Sequence, residues 1–263
     1  MIVRRGAAAV VVAGLLVGLL TACSSTGEPA ADSTATVRQP ARTLTVLAAA
    51  SLTETFTTLA HEFESAHPGV TVRLSFGASS ALAQQVVAAV PADVFAAANE
   101  TTMKTATDAG QADAPVIFVT NTLMIAVPAS NPAGVTGLAD LAKPGVKVAL
   151  CAPQVPCGSA AKKVLDAAAL DVTPVSLEQD VKAVLTKVRL GEVDAGLVYR
   201  TDVASVGAQV KGIDFPEAAD AVNKYPVAVL SQAKQPDLAR KFVALLTGPA
   251  GAKVFSDAGF DLP

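Results

Sequence analysis

From Thr43 onward, short apolar runs alternate with helical stripes, and this rhythm constrains the fold more than any other feature. Residues 43–50 (TLTVLAAA) form a β-branched, apolar run of strand length. Residues 51–66 then put Leu52, Phe56, Leu59, Ala60 and Phe63 on one helical face. Ser51 suits an N-cap, and Glu54 three residues on completes a capping-box pattern. Pro68-Gly69 stops that helix, residues 70–75 alternate as a strand, and Gly77-Ala78-Ser79-Ser80 opens a helix over about 81–89. Further strands are expected over 93–97, 123–127, 147–150, 193–199 and 227–230, and further helices over 101–109, 158–168, 180–190 and 237–246. Strands alternating with helices imply an α/β architecture with mostly parallel sheets. Short strand-to-helix loops put ligands at the C-terminal strand ends and helix N-termini.

The segment before this rhythm is of another kind. Arg4 and Arg5 precede an uncharged apolar run, residues 7–20, which is short for a bilayer span and of the length of a signal-peptide core. Leu20-Thr21-Ala22-Cys23 follows and resembles the lipobox of bacterial lipoproteins. That likeness implies a signal peptide over 1–22, lipidation of Cys23 and a location on the outer face of the cell membrane. An ordinary secretory signal with an incidental cysteine, or a retained anchor, is the alternative. Residues 23–42 are rich in Ser, Thr, Pro, Ala and Gly without apolar periodicity, and read as a flexible tether.

Composition narrows the partners. The chain has 20 Lys and Arg against 23 Asp and Glu, with no basic block, so nucleic acid is not expected as a partner. With no Trp, 9 Phe and 2 Tyr, a sugar site built on stacked aromatics is not expected, and the core is expected to be Ala, Val and Leu. Cys151 and Cys157 remain as an even pair outside the membrane, six positions apart around Pro153 and Pro156. A small-loop disulfide is expected there, with two free thiols as the alternative. Their spacing matches neither CxxC nor a zinc pattern. His61 and His67 lie on or just after one helix and read as surface residues, so no metal-cation site is expected.

Three loops share one device. AAAS ends a strand at Ser51, FGASS ends one at Ser79 and Ser80, and VPCGSAA enters a helix at Gly158. Each sets small residues at a helix N-terminus, where unpaired N–H groups and a partial positive charge favour an anion. None carries Lys or Arg in its core, which suits a small, fully ionised oxyanion held by neutral dipoles. Plain serine capping is the alternative for any one loop.

The fragments LTVLAAASLTETF, SFGASSALAQQV, PADVFAAANE, VPCG, LVYRTD, KYPVAV and GPAGAKVF, in that order, resemble the periplasmic molybdate-binding proteins of ABC uptake systems. The resemblance runs from about residue 43 to 260. It implies a type II periplasmic-binding-protein fold, an α/β architecture of two lobes joined by two crossover strands, with the oxyanion in the cleft. Lobe 1 would hold 43–125 plus 225–263, and lobe 2 would hold 126–224. It further implies that Ser51 and Ser79 offer a hydroxyl and an N–H, that Cys157 and Val181 offer a backbone N–H, and that the Tyr199 hydroxyl donates. Cys157 stands where the family commonly has Ala, and its backbone donor is retained. The implied ligand is molybdate or tungstate, with no cofactor and with no metal except as the bound oxyanion. The implied partner is a membrane permease, and the protein is expected to be a monomer. Another tetrahedral oxyanion, sulfate or phosphate, is the first alternative. A serine hydrolase is disfavoured because neither histidine has a motif and no GxSxG elbow occurs.

Overall fold

The computed structural model describes residues 42–263; the leader, Cys23 and the expected tether up to residue 41 lie outside the described residues. Arg42 already belongs to the first strand, β1 (Arg42–Ala49). It is followed by α1 (Thr53–Ala66), β2 (Val70–Gly77), α2 (Ser79–Val87), β3 (Val94–Ala96), α3 (Glu100–Asp108), β4 (Val116–Asn121) and β5 (Leu123–Pro128). The chain continues through β6 (Val148–Cys151), α4 (Pro156–Ala167), β7 (Ser176–Glu178), α5 (Val181–Arg189), β8 (Ala195–Tyr199), α6 (Arg200–Val206) and β9 (Val210–Ile213). It closes with β10 (Asn223–Val229), α7 (Pro236–Thr247) and α8 (Pro249–Asp257).

Two five-stranded sheets organise these elements into two α/β lobes, one ordered β2-β1-β3-β10-β4 and the other β7-β6-β8-β5-β9. The chain passes from the first sheet to the second at Thr122, between β4 and β5, and returns between β9 and β10. The expectation of mostly parallel sheets is corrected: β1–β2, β1–β3, β6–β7 and β6–β8 are parallel, but β10 and β5 each run antiparallel to both neighbours. Both are the strands that follow a crossing between sheets. A strand arriving by a crossing need not have the direction that a helical crossover within one sheet imposes.

The cores differ in kind. Around α1, Phe56, Phe63, Phe118, Phe242 and Phe255 pack with ring centroids 5.1–6.2 Å apart. Phe260 extends the group to Tyr225. The expected Ala, Val and Leu core therefore gains an aromatic centre in the first lobe. The second lobe packs α4 and α5 through Val164, Leu165, Val184, Leu185 and Val188, all buried.

A candidate oxyanion-binding site

Each of the three serine- or glycine-rich loops sits at the end of a strand and the start of a helix, but the local geometry differs from the expected one at the first. Ser51 does not cap α1. It lies in a single 3-10 turn, Ala50–Leu52, which moves the start of the α-helix to Thr53. No side-chain cap forms there, so the capping box with Glu54 is absent. The turn is tied by Thr53 Oγ1 donating to the Ala50 carbonyl at 2.6 Å. Freed from capping, the buried Ser51 hydroxyl is 3.0 Å from the Tyr225 hydroxyl. Glu54 instead pairs with the Lys182 ammonium at 2.8 Å.

Ser79 is the first residue of α2, two residues before the expected start, and only 1% exposed. Its Oγ accepts from the Ala98 N–H at 2.9 Å. Val155 precedes α4, and Pro156 occupies its first turn, where a missing N–H costs nothing. Cys157 and Gly158 follow with first-turn N–H groups that the helix itself cannot pair. A disulfide joins Cys157 to Cys151, with the Cα atoms 5.8 Å apart. Gly158 is required by contact: a Cβ there would lie 2.0 Å from the Ala152 carbonyl oxygen. Asp180 caps α5 by accepting from the Ala183 N–H at 3.0 Å, which leaves Val181 at the first helical position.

Tyr199 ends β8, wholly buried, and its hydroxyl accepts from Asn223 Nδ2 at 2.9 Å. Its ring meets that of Tyr225 edge-on at 6.0 Å. Burial pushes the Tyr199 hydroxyl well above the ordinary phenol range, so it stays protonated and able to donate. Burial acts in the same direction on Tyr225, against a lowering contribution from Ser51.

Ser51, Ser79, Cys157, Val181 and Tyr199 all line one cavity of about 230 Å³. The remaining lining is mostly Ala, Gly, Val and Pro, without Lys or Arg. Asp180 also lines it, an acidic neighbour that the sequence reading placed only at a helix start. One of its carboxylate oxygens is engaged in capping α5. Apart from Asp180, the cavity is lined by uncharged residues.

Residues that the sequence reading assigned no role stand directly behind this lining. They are Asn223 and Tyr225, and below Tyr199 the fully buried Asp202. One Asp202 oxygen accepts from the Tyr199 N–H at 3.0 Å; the other has the Lys182 ammonium at 3.3 Å as an ion pair, without hydrogen-bond alignment. Burial raises the Asp202 carboxyl to about 6, with Lys182 opposing. No local signal marked them: Asn223 heads the strand NKYPVAV next to another polar residue, Lys224. His67 stacks on Phe63 with centroids 4.1 Å apart, and His61 approaches Glu64 at 3.7 Å, both away from the cavity. Among the described residues, no group of three or more His, Cys, Asp or Glu could hold a metal ion.

Residues 44–261 match the family of bacterial extracellular solute-binding proteins. The chain belongs to that family. This solute-binding protein is 44% identical to the molybdate-binding protein ModA of Mycobacterium tuberculosis over 253 residues, 96% of each chain. Its fold is that of the periplasmic molybdate-binding protein of Azotobacter vinelandii, with a TM-score of 0.72 at 22% identity, over 84% of this chain and 99% of that one. The sulfate-binding protein SubI of Mycobacterium tuberculosis is similar in fold to nearly the same degree, with a TM-score of 0.71 at 19% identity, over 83% and 86% of the two chains. The two-lobed architecture is therefore that of periplasmic binding proteins, and the chain binds a solute for transport rather than converting it.

Proposed function

We propose that this protein captures molybdate outside the cytoplasm and delivers it to the permease of an ABC importer, and that it takes tungstate as well. The observation that carries this reading is the set of neutral donors around one small cavity. Ser51 and Ser79 would contribute hydroxyl and backbone donors, Cys157 and Val181 backbone N–H groups, and Tyr199 its hydroxyl. Taking 43–125 with 225–263 as one jaw and 126–224 as the other, closure would bring both sets onto the anion. Each charge-assisted hydrogen bond is worth about 1.5–3 kcal/mol. Several together support binding in roughly the nanomolar to micromolar range after the cost of closure.

The donor set also supports the choice of anion. A tetra-oxyanion without a proton makes every oxygen an acceptor. Phosphate carries a proton near neutral pH and would need an acceptor facing it; none of the five proposed ligand residues is acidic, and the one carboxylate in the lining, Asp180, has an oxygen committed to capping α5. Sulfate has the same charge as molybdate and a similar host fold, so cavity size must exclude it. The high identity to a molybdate-binding protein along the whole chain favours molybdate over sulfate. Cys23, lipidated, would hold the domain on the outer face of the membrane near its permease as a monomer.

Isothermal titration of the apo chain with molybdate, tungstate, sulfate and phosphate tests the reading. Tight, comparable binding of the first two and weak binding of the others is expected; tight sulfate with weak molybdate would contradict it. Replacement of Cys23 by Ala should release the protein from membranes, and continued membrane retention would refute the anchor.

A further inference from the structure

Hydrogen-bond bookkeeping behind the cavity singles out one residue that touches none of the space itself. Asn223 Nδ2 carries two protons. One goes to the Ala98 carbonyl at 2.7 Å and the other to the Tyr199 hydroxyl oxygen at 2.9 Å. The Ala98 carbonyl can only accept, so it fixes which way the amide is turned. With both protons used and no free lone pair, Nδ2 cannot accept from Tyr199. The Tyr199 proton must point elsewhere: to the neighbouring Tyr225 hydroxyl or, with an anion bound, into the cavity that Tyr199 lines.

The same residue, Ala98, acts on Ser79. Its N–H donates to Ser79 Oγ, which leaves the Ser79 proton free for the cavity. Ser79 and Tyr199 thus each receive a hydrogen bond from behind and present a donor in front. Both Asn223 and Ala98 are buried, so no bulk solvent competes for these positions. Asn223 opens β10 in the first sheet, whereas Tyr199 ends β8 in the second, so the contact also spans the two lobes.

We propose that Asn223 is a specificity-determining positioning residue: by donating to the Tyr199 hydroxyl it locks that group as a donor and so disfavours protonated oxyanions. A hydroxyl free to rotate could donate to molybdate or accept from the acidic proton of hydrogen phosphate. One that already accepts from Asn223 has its proton turned away from Asn223 and meets an anion as a donor. The proposal rests on the reading of Tyr199 as a ligand to the anion.

The test is a double-mutant cycle of Asn223→Leu and Tyr199→Phe, with affinities for molybdate and hydrogen phosphate measured by titration calorimetry. N223L should weaken molybdate binding by about tenfold, the worth of one charge-assisted hydrogen bond. It should also narrow the preference for molybdate over hydrogen phosphate. In the Y199F background it should change neither quantity. An equal loss in both backgrounds would show a merely structural role and overturn the proposal, as would wild-type affinity and selectivity in N223L. An unchanged molybdate affinity in Y199F alone would refute Tyr199 as a ligand, and the proposal with it, an outcome distinct from failure at Asn223. Asn223→Asp provides a second route if the leucine variant does not fold. Its carboxylate would accept a hydrogen bond from the Tyr199 O–H and turn that donor away from the anion, so the loss of molybdate affinity should be larger in the Tyr199 background than in Y199F, and equality there would overturn the proposal.

Discussion

On the proposed reading, the two lobes would bring different kinds of donor to the same cavity. The first would add side-chain hydroxyls to its backbone donors: Ser51 in a 3-10 turn and Ser79 at the start of α2, each hydroxyl already engaged within the protein. The second would contribute mainly main chain, the first-turn N–H groups of α4 and α5, with Tyr199 as its one hydroxyl. Side-chain donors can be deleted one at a time. Main-chain donors cannot be deleted, only moved, so their placement depends on how a whole helix is seated. The first lobe builds its donors on an aromatic core that holds α1, and the second seats its helices on aliphatic residues and one glycine.

That difference can be broken most severely at Gly158. A Cβ there would meet the Ala152 carbonyl oxygen at 2.0 Å, so Gly158→Ala must displace the start of α4. A drop in molybdate affinity of about a hundredfold is expected, since more than one donor moves, together with a loss of about 1–3 kcal/mol of stability from overpacking. Calorimetric titration and thermal unfolding measure the two. On the other lobe, Ser51→Ala and Ser79→Ala should each cost about tenfold in affinity. Ser79→Ala should also destabilise the apo chain, because it leaves the buried Ala98 N–H without its partner. Equal affinity in both variants and wild type would remove the first lobe from the account.

Smaller effects on binding are expected from the supports of the second lobe. Replacing Cys151 and Cys157 by Ser opens a short loop and should cost about 2 kcal/mol of stability. Affinity should fall less than in the serine variants, because the Cys157 N–H is set by α4. Asp202→Asn should affect affinity least, but it should change the pH dependence of stability. The Asp202 carboxyl sits at about 6 in the folded chain because of burial, above the ordinary value of about 3.9. The folded state therefore binds this proton more tightly than the unfolded one. Its stabilising effect is full below pH ~4 and is lost as pH rises through about 6. Relative to D202N, the wild type should lose thermal stability between those values, and parallel Tm profiles would contradict this.

Much of the fold was legible because apolar periodicity reports burial. The strand ending at Ala49, the face of α1 and the strand ending at Tyr199 all follow from it. Three strands escaped for a physical reason. Val116–Asn121 mixes polar and apolar residues on a sheet edge, and Ser176–Glu178 and Val210–Ile213 are short, partly exposed edge strands. Edge positions need not be apolar on both faces, so the pattern fades there. The start of α1 was misread because a serine before a helix suggests a cap. Here the 3-10 turn turns Ser51 toward Tyr225, a partner 174 residues away that local sequence cannot reveal.

The candidate site was legible in part for a related reason. Loops of small residues at helix starts are local signals, and they pointed to Ser51, Ser79 and the stretch around Cys157. Val181 and Tyr199 came from resemblance alone, and the cavity includes all five. Asn223 and the Lys182–Asp202 pair were silent because their partners lie on distant segments. Asn223 begins β10, which lies between β3 and β4 in the sheet, so only the assembled fold gives it a role.

The most direct test of the central claim is anomalous diffraction from crystals of the protein grown with molybdate. The account predicts a single molybdenum peak in the cavity, with oxygens within hydrogen-bond distance of the Ser51, Ser79 and Tyr199 hydroxyls and the Cys157 and Val181 N–H groups. A peak elsewhere on the protein, or an anion in the cavity that approaches none of these donors, would contradict it.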